Sequence, residues 1–264
     1  MNFENHCVEI AAVVLFGLCL GSFLNVVIIR LPRERSILSP PSRCGFCRTS
    51  LRFWMNIPVL SFLISGGRCC RCGLSYSIRY PIVELLAATV LLSIWYLYGV
   101  SSQGIFLALF TLALIAVSFI DLDWRIIPDS ISIGGWILAI ILSALHHSGF
   151  PVSLMESIAG SIGGAAFFLI TGKGFEWLTG REGLGGGDVK LMGFIGAVIG
   201  IHGMITTVLF GSIFGIIVGV ILAFCRRRAI MGYSVPFGPF LALGAFLHIL
   251  QLDQWLWNYL EVVR

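Results

Sequence analysis

Residues 104–121 read GIFLALFTLALIAVSFID, an apolar run of helical length that carries no charge until its last residue, Asp121. A run of this length suits a helix that crosses the hydrocarbon core of a bilayer. Similar runs recur along the 264-residue chain, in which 58% of residues are hydrophobic and only 11% are charged. This composition is typical of multi-spanning membrane proteins rather than water-soluble domains. The sequence therefore predicts an all-α, polytopic membrane protein.

Breaks in the apolar sequence predict about eight transmembrane helices. Gly160, Gly163 and Gly164 fall within one of them, and such small residues allow helices to pack closely in a membrane. The predicted spans cover residues 8–29, 82–99, 104–121, 129–146, 153–172, 188–202, 204–225 and 236–255.

Basic residues fall almost entirely on one side of the predicted bundle. Lys and Arg lie in or beside the loops after spans one, three, five and seven, and only Arg264 of the 17 falls on the other side. Because cytoplasmic loops are enriched in Lys and Arg, the first loop is expected in the cytoplasm and both termini outside. The net charge of +4 is then a topology signal, and nucleic-acid binding is not expected.

Two aspartates stand at the predicted cytoplasmic ends of apolar spans. Asp121 ends the run quoted above, and Asp188 follows the tract Gly185–Gly187. An ionisable group at membrane depth is costly and indicates function. Two carboxyl groups held together can share one proton, so that one acts as general base on a water and the other as general acid. The pair predicts a membrane-embedded aspartic hydrolase, although a flexible glycine linker and a helix N-cap would also explain Asp188.

Four cysteines form two pairs with the spacing of metal knuckles, Cys44 with Cys47 and Cys69 with Cys72. Two such pairs place four thiolates around one zinc ion, and a metal cross-link would stabilise a loop too polar to build a large core. Four thiolates close the coordination shell, so the predicted zinc is structural and a metalloprotease is not expected. Free structural cysteines are the alternative, since disulfides are rare in the cytoplasm.

Together these motifs resemble those of the bacterial type IV prepilin leader peptidases, and the resemblance runs nearly from end to end. Beyond the two aspartates and the cysteine pairs, further short segments carry it in the same order along the chain. They are Gly21–Val26 with Arg30–Pro32, Arg79–Pro81 with Glu84, Pro128–Asp129, Lys190–Leu191 and Pro236–Pro239.

The resemblance implies an enzyme with two activities in the bacterial inner membrane. It cuts the basic leader from type IV prepilins or type II secretion pseudopilins on the cytoplasmic side. It then methylates the new N-terminal amine with S-adenosylmethionine. The peptidase aspartates of the family fall on Asp121 and Asp188, and the zinc ligands on Cys44, Cys47, Cys69 and Cys72. The methyl-donor site rests on the resemblance alone, with Glu84, Asn25 and Arg79 as candidates.

The implied domains are a first transmembrane helix at 1–29, a zinc-binding loop associated with methyl transfer at 30–81 and a peptidase domain at 82–264. The expected partners are the substrate proteins and the lipid bilayer. A proton-coupled transporter is one alternative, but it needs ionisable groups along its path, and spans four to eight offer almost none at mid-membrane. A membrane scaffold that uses the zinc loop is the other, and leader removal by the purified protein would exclude both.

Overall fold

The computed structural model describes residues 3–50, 53–145, 149–180, 183–226, 236–254 and 257–258. Across these residues the secondary structure is helical, with two isolated β-bridges and no strand. The expected all-α class is therefore confirmed. The chain divides into two compact units, Met1–Gly99 and Val100–Arg264.

The first unit contains two long helices joined by the cysteine-bearing loop. Helix α1 packs directly against α3. The loop between them contains short 3-10 turns at Leu31–Arg33 and Phe53–Asn56 and one short α-helix, none of which the sequence predicts. The helices are α1 (Phe3–Arg30), α2 (Leu60–Ser65) and α3 (Arg79–Tyr98).

Two glycines of α1 allow this close packing. A Cβ on Gly17 would come 2.6 Å from the Cα of Ala88, and one on Gly21 would come 2.5 Å from the Cα of Glu84. Any side chain at either position would therefore push α1 and α3 apart. Small residues at helix contacts are how apolar helices approach closely where lipid surrounds them.

The second unit is built around one long helix. Helix α7 packs against α5, α6 and α8, and α4 packs against α8. At Gly200 the backbone of α7 leaves the helical region (φ 69°, ψ −170°), so this long element consists of two helical segments joined at a kink, close to the predicted boundary between spans 188–202 and 204–225. The helices are α4 (Ser102–Trp124), α5 (Asp129–Ala144), α6 (Leu154–Thr179), α7 (Gly186–Arg226) and α8 (Gly238–Ile249).

Helices α6 and α7 meet backbone to backbone. A Cβ on Gly160 would overlap the carbonyl oxygen of Gly196, so the close packing expected at Gly160 is present. One turn earlier, the Ser157 hydroxyl donates a 2.7 Å hydrogen bond to the carbonyl oxygen of Ala197. This bond satisfies a buried polar group and fixes the register of the two helices.

The described helices differ from the predicted spans in number and length. Five are long and apolar enough to cross a membrane, namely α1, α3, α4, α6 and α7, whereas α5 and α8 are shorter apolar helices. The expected count of about eight spans is therefore not confirmed. Residues 146 and 255, the predicted ends of the fourth and eighth spans, lie outside the described residues.

Helix α8 ends at Ile249 because the chain then turns around a buried carboxylate. Asp253 is 2% exposed, and its Oδ2 lies 2.7 Å from both Thr206 Oγ1 and His248 Nδ1. The indole N–H of Trp257 donates to the same oxygen at 2.9 Å. This cluster joins the end of α8 to the second half of α7.

The boundary between the two compact units differs from the predicted domain boundary in the position of α3. Helix α3 packs within the first unit, whereas the sequence assigns residues 82–99 to the 82–264 domain. The division by function into 1–29, 30–81 and 82–264 stays a prediction.

Candidate active site and metal centre

Asp121 lies in the last turn of α4 and is 6% exposed. The helix ends just beyond it, because Arg125 adopts a left-handed conformation (φ 54°) and its N–H closes on the carbonyl oxygen of Asp121 at 2.9 Å. The side chain accepts a 3.0 Å hydrogen bond at Oδ2 from the main-chain N–H of Gly238. Gly238 begins α8, and the first N–H groups of a helix have no partner within it and favour an anion. The buried Asp121 carboxyl group therefore has a hydrogen-bond donor in the main chain of α8.

Asp188 lies in the first turn of α7 and is partly buried. Its main-chain N–H donates to the carbonyl oxygen of Gly185 at 3.1 Å. The absent side chain of Gly187 lets α7 begin against Ile127, whose Cβ would lie 3.1 Å from an added Cβ. Asp188 and Asp121 are close enough for their charges to interact. The fold thus brings together the two carboxyl groups that the sequence singles out.

An ion pair beside this site holds its supporting helices together. Lys190 Nζ lies 2.8 Å from Asp129 Oδ1, which ties the start of α5 to the first turn of α7. Both side chains are substantially exposed, so the pair contributes little to stability, typically about 0–1 kcal/mol. Asp129 is therefore bonded directly to a cation, whereas Asp121 is bonded to a main-chain N–H.

Gly238 is the residue of this site that the sequence did not identify. The sequence names the Pro236–Pro239 segment only as one that carries the family resemblance and gives it no role in the site. The aromatic ring of Phe237 packs 6.0 Å from that of Phe168 on α6, which helps to hold the start of α8 in place. A helix start that carries a glycine between two prolines is the signal that could have pointed to a main-chain donor.

The two cysteine knuckles repeat one backbone pattern. In the first, the N–H of Cys44 donates to the Thr49 carbonyl at 2.9 Å, and in the second, the N–H of Cys69 donates to the Leu74 carbonyl at 2.9 Å. Each knuckle has a positive φ directly after its second cysteine, at Arg48 (56°) and Gly73 (71°). Such turns direct both sulfur atoms of a knuckle to the same side.

The four sulfur atoms converge on one point. All four Sγ atoms lie within 4.8 Å of one another. The Sγ atoms of Cys44 and Cys72 are 3.8 Å apart, and those of Cys47 and Cys69 are 3.9 Å apart. Four sulfurs bound tetrahedrally to zinc at ~2.3 Å would be ~3.8 Å apart, so the thiols fit such an ion. The four predicted ligands are therefore together, as a metal site requires.

The surroundings of Cys47 favour the form that binds metal. Hydrogen bonding by the side chain and the backbone of Thr49 lowers the pKa of the Cys47 thiol to about 6. Backbone hydrogen bonds from Cys72 and Arg71 lower the pKa of Cys69 as well. Thiolates rather than thiols coordinate metals, so these two groups favour a cation. A backbone hydrogen bond at Leu74 lowers the pKa of Cys72, but burial and hydrogen bonding to the other three cysteines outweigh it and raise that pKa to about 11.

The three candidates for a methyl-donor site have structural partners. Glu84 is 7% exposed, and its Oε2 accepts a 2.7 Å hydrogen bond from the main-chain N–H of Val59. Asn25 is 6% exposed, and its Nδ2 donates to the Tyr80 carbonyl at 3.1 Å, a hydrogen bond between α1 and α3. Arg79 begins α3. Asn25 and Glu84 thus hold the first unit together.

Comparison with known proteins gives two family matches that follow the two units. A model of the bacterial peptidase A24 N-terminal domain matches residues 15–98, and one of the type IV leader peptidase family matches residues 108–220. No solved structure matches the chain significantly.

Several curated relatives are similar over most of their length, and each is called a prepilin leader peptidase/N-methyltransferase. The protein from Pseudomonas putida is 35% identical, over 90% of this chain and 89% of the relative. The one from Pseudomonas aeruginosa is 36% identical, over 94% and 92%. The one from Neisseria gonorrhoeae is 31% identical, over 91% and 89%.

Proposed function

Because this chain belongs to the type IV leader peptidase family, we propose that it removes the basic leader of type IV prepilins or type II secretion pseudopilins and then N-methylates the new N-terminal residue. The observation that carries the proposal is the pair Asp121 and Asp188, which interact within one unit of a chain that is 35% identical to such an enzyme. The transporter and scaffold alternatives are not favoured.

The proposed peptidase step is attack of water on the scissile carbonyl. One aspartate takes a proton from the water while the water oxygen forms a bond to the carbonyl carbon. The other donates its proton, first to polarise the carbonyl and then to the departing amine as the C–N bond breaks. Asp121 and Asp188 act here as a pair that shares one proton, because their negative charges repel. The Gly238 N–H holds the Asp121 carboxyl in position throughout.

This cleavage supplies the substrate of the second activity. Hydrolysis leaves a free α-amine on the mature protein, and S-adenosylmethionine is the methyl donor that the family uses. We propose that the first unit carries this activity. Within it, Asn25 and Glu84 hold α1, α3 and the intervening loop in place, and Arg79 begins α3.

The cysteine cluster is proposed to hold a structural Zn²⁺. Zinc would cross-link two loop segments and leave no coordination position for a reacting water. The spacing of the sulfur atoms and the lowered pKa of Cys47 support this assignment. The four ligands would be Cys44, Cys47, Cys69 and Cys72.

The chain is a multi-pass inner-membrane protein, as its apolar helices and its relatives indicate. Its orientation is proposed from the distribution of basic residues. The arginine-rich cysteine loop and the two aspartates face the cytoplasm, and both termini lie outside. The leader of the substrate would then meet the enzyme on the cytoplasmic side.

The decisive experiment combines the purified full-length protein with a prepilin and an isotopically labelled methyl donor. Mass spectrometry then maps both the cut and the label. The proposal expects a shortened prepilin with one labelled methyl group on its new N-terminus. An uncut prepilin would overturn it in favour of a transporter or scaffold, whereas a cut but unlabelled product would remove only the methyltransferase.

A further inference from the structure

Helix α2, in the cysteine loop, presents an apolar face that the first unit leaves open. Leu60, Leu63 and Ile64 occupy positions i, i+3 and i+4 of this short helix and are 48%, 69% and 79% exposed. Residues so spaced lie on one side of a helix. Three large apolar side chains together on a small loop are costly in water and mark a contact surface.

The opposite side of α2 is packed. The ring of Phe62 meets that of Tyr76 edge-on, with centroids 5.3 Å apart, and Ser65 Oγ lies 2.7 Å from the Tyr76 hydroxyl. The contacts of Phe62 and Ser65 with Tyr76 therefore fix which side of α2 faces the rest of the loop. The opposite, apolar side with Leu60, Leu63 and Ile64 consequently points away from the loop.

The beginning of α2 is fixed at a definite depth along α3. The Val59 N–H, directly before α2, donates to Glu84, which lies five residues into α3. Five residues correspond to ~7.5 Å along a helix axis. Because α3 is long and apolar enough to cross a membrane, its first turns, and the start of α2 that is bonded to them, are expected near a bilayer surface.

Charge around α2 fits a lipid surface. Residues 31–78 contain seven arginines and a single acidic residue, Glu34. One of these arginines, Arg68, is exposed immediately after α2, where its N–H donates to the Ser65 carbonyl at 3.2 Å. Helices that lie in a membrane interface combine an apolar face with nearby Lys or Arg, which attract anionic lipids.

We propose that α2 is an interfacial anchor that inserts Leu60, Leu63 and Ile64 at the headgroup–acyl boundary of an anionic bilayer. The surrounding arginines bind the lipid phosphates. The anchor holds the cysteine knuckles against the membrane surface. This inference needs the chain to be membrane-embedded but does not depend on the proposed peptidase or methyltransferase activity.

A photo-crosslinking amino acid at position 63 tests the anchor directly. The full-length protein is placed in vesicles that contain phosphatidylethanolamine and phosphatidylglycerol, irradiated, and analysed for lipid adducts by mass spectrometry. The same probe at Leu15, a 63% exposed residue of α1, is the positive control. The probe at Phe46, a 67% exposed residue between two cysteines of the first knuckle, is the matched control in the same loop.

The anchor predicts lipid adducts at position 63 comparable in yield to those at position 15, and a several-fold lower yield at position 46. Yield at 63 as low as that at 46 would overturn the proposal. Adducts at position 63 to an added prepilin in place of lipid would also overturn it, because the face would then bind a protein segment.

A measurement on the unmodified protein keeps the test independent of any variant. A phosphatidylglycerol with the photoactivatable group in its acyl chain, in the same vesicles, should label the peptide 57–66 and leave the knuckle peptide 43–50 nearly unlabelled, because only α2 reaches the acyl chains. Equal or absent labelling of the two peptides would count against the anchor. A photoactivatable phosphatidylcholine used in its place should label 57–66 less, since its headgroup carries no net negative charge for the arginines to attract.

Discussion

The main-chain N–H of Gly238 donates a 3.0 Å hydrogen bond to the Oδ2 atom of Asp121, across 117 positions of sequence. The start of α8 thereby becomes part of the site that the two aspartates form. Apart from proline, no substitution removes a main-chain N–H donor, but an added side chain can displace it. Gly238 therefore offers a way to move the Asp121 carboxyl without altering its chemistry.

Replacement of Gly238 by Ala is expected to lower the rate of leader cleavage. The added Cβ would come 2.7 Å from Oδ2 of Asp121, so the carboxyl group must shift. Misplacement of a catalytic group by ~1 Å costs up to about 100-fold in rate. We expect kcat to fall more than KM in an assay with purified protein and prepilin. The control is Gly134→Ala on α5, where an added Cβ meets nothing within 4 Å; equal rates for the two variants would contradict the prediction.

The variants Asp121→Asn and Asp188→Asn should each abolish cleavage while the protein remains folded and inserted. An amide of the same shape cannot take up or supply the shared proton. The matched control is Asp129→Asn, which loses only the exposed ion pair with Lys190 and should cleave at a rate near that of the unchanged protein. Quantitative gel analysis of processed prepilin measures all three. Full cleavage by either of the first two variants would remove that residue from the pair.

The double variant extends this test. If Asp121 and Asp188 act as a unit, changing both should reduce the rate hardly more than changing either one. Rate losses that multiply would instead indicate two independent contributions.

Metal should bind the four clustered cysteines and no other thiol of the loop. Cys47→Ser is expected to lower the metal content and the thermal midpoint, because a thiolate ligand is lost. Cys70→Ser is the matched control, since the Cys70 sulfur lies beside Met55 (4.0 Å) and outside the cluster. Elemental analysis by mass spectrometry should find one metal ion per chain in the unchanged protein and in Cys70→Ser. Equal loss in both serine variants would refute the assignment of ligands.

Glu84 is expected to act through the main chain of Val59. Val59 has a positive φ of 59°, which is unfavourable for a β-branched residue, and the Glu84 carboxylate satisfies its N–H. Glu84→Leu leaves this N–H without a partner and should cost about 1–3 kcal/mol of stability. Glu84→Gln keeps an acceptor and should unfold near the normal temperature in a thermal denaturation assay.

The same two variants distinguish a structural role of Glu84 from direct contact with the methyl donor. A positioning role predicts that Glu84→Gln retains methyl transfer and that Glu84→Leu loses it together with stability. A Glu84→Gln protein that is fully stable but inactive in methyl transfer would show that the carboxylate itself contacts the methyl donor.

Asp253 should make the second unit less stable in acid. Burial alone would raise the pKa of this carboxyl, but hydrogen bonds from Thr206, His248 and Trp257 outweigh burial and hold the pKa below its usual value. A lowered pKa contributes stability that is present above the unfolded-state value, about 3.9, and is lost as the pH falls through the folded-state value.

The measurement compares the free energy of unfolding of the unchanged protein with that of Asp253→Asn over a range of pH. The difference should be largest near neutral pH, at about 1–3 kcal/mol, and shrink below about pH 4. Cleavage by the variant should persist under conditions where it is folded, because Asp253 lies beyond the far end of α8 from Gly238, roughly 17 Å away along the helix. A difference that does not vary with pH would exclude a charged Asp253 as its source.

The sequence predicted the helices of this protein far better than their ends. Apolar runs and polar breaks located every long helix, since both depend on local composition. The sequence put the boundary between its sixth and seventh spans at residue 203, whereas the kink in α7 lies at Gly200, because no polar loop marks the change between the two helical segments. The turn that follows α8 is built around Asp253, whose partner Thr206 lies 47 positions away, and no local pattern indicates that contact.

At the site, the sequence was most informative about residues that are chemically unusual for their surroundings. Asp121 and the four cysteines were identified because a charge at membrane depth and a paired spacing are rare by chance. Gly238 was not, because its contribution is a backbone N–H that any residue type could supply. The partner of Glu84 was equally hidden, since the sequence offered Arg79 nearby whereas Val59 lies 25 positions away.

The segment that matches the type IV leader peptidase family ends at residue 220, before the amide that contacts Asp121. A minimal enzyme trimmed to that boundary would retain both carboxyl groups and omit a donor that positions one of them. Efforts to shorten, permute or split this protein should accordingly treat α8 as indivisible from the helices that carry the acids.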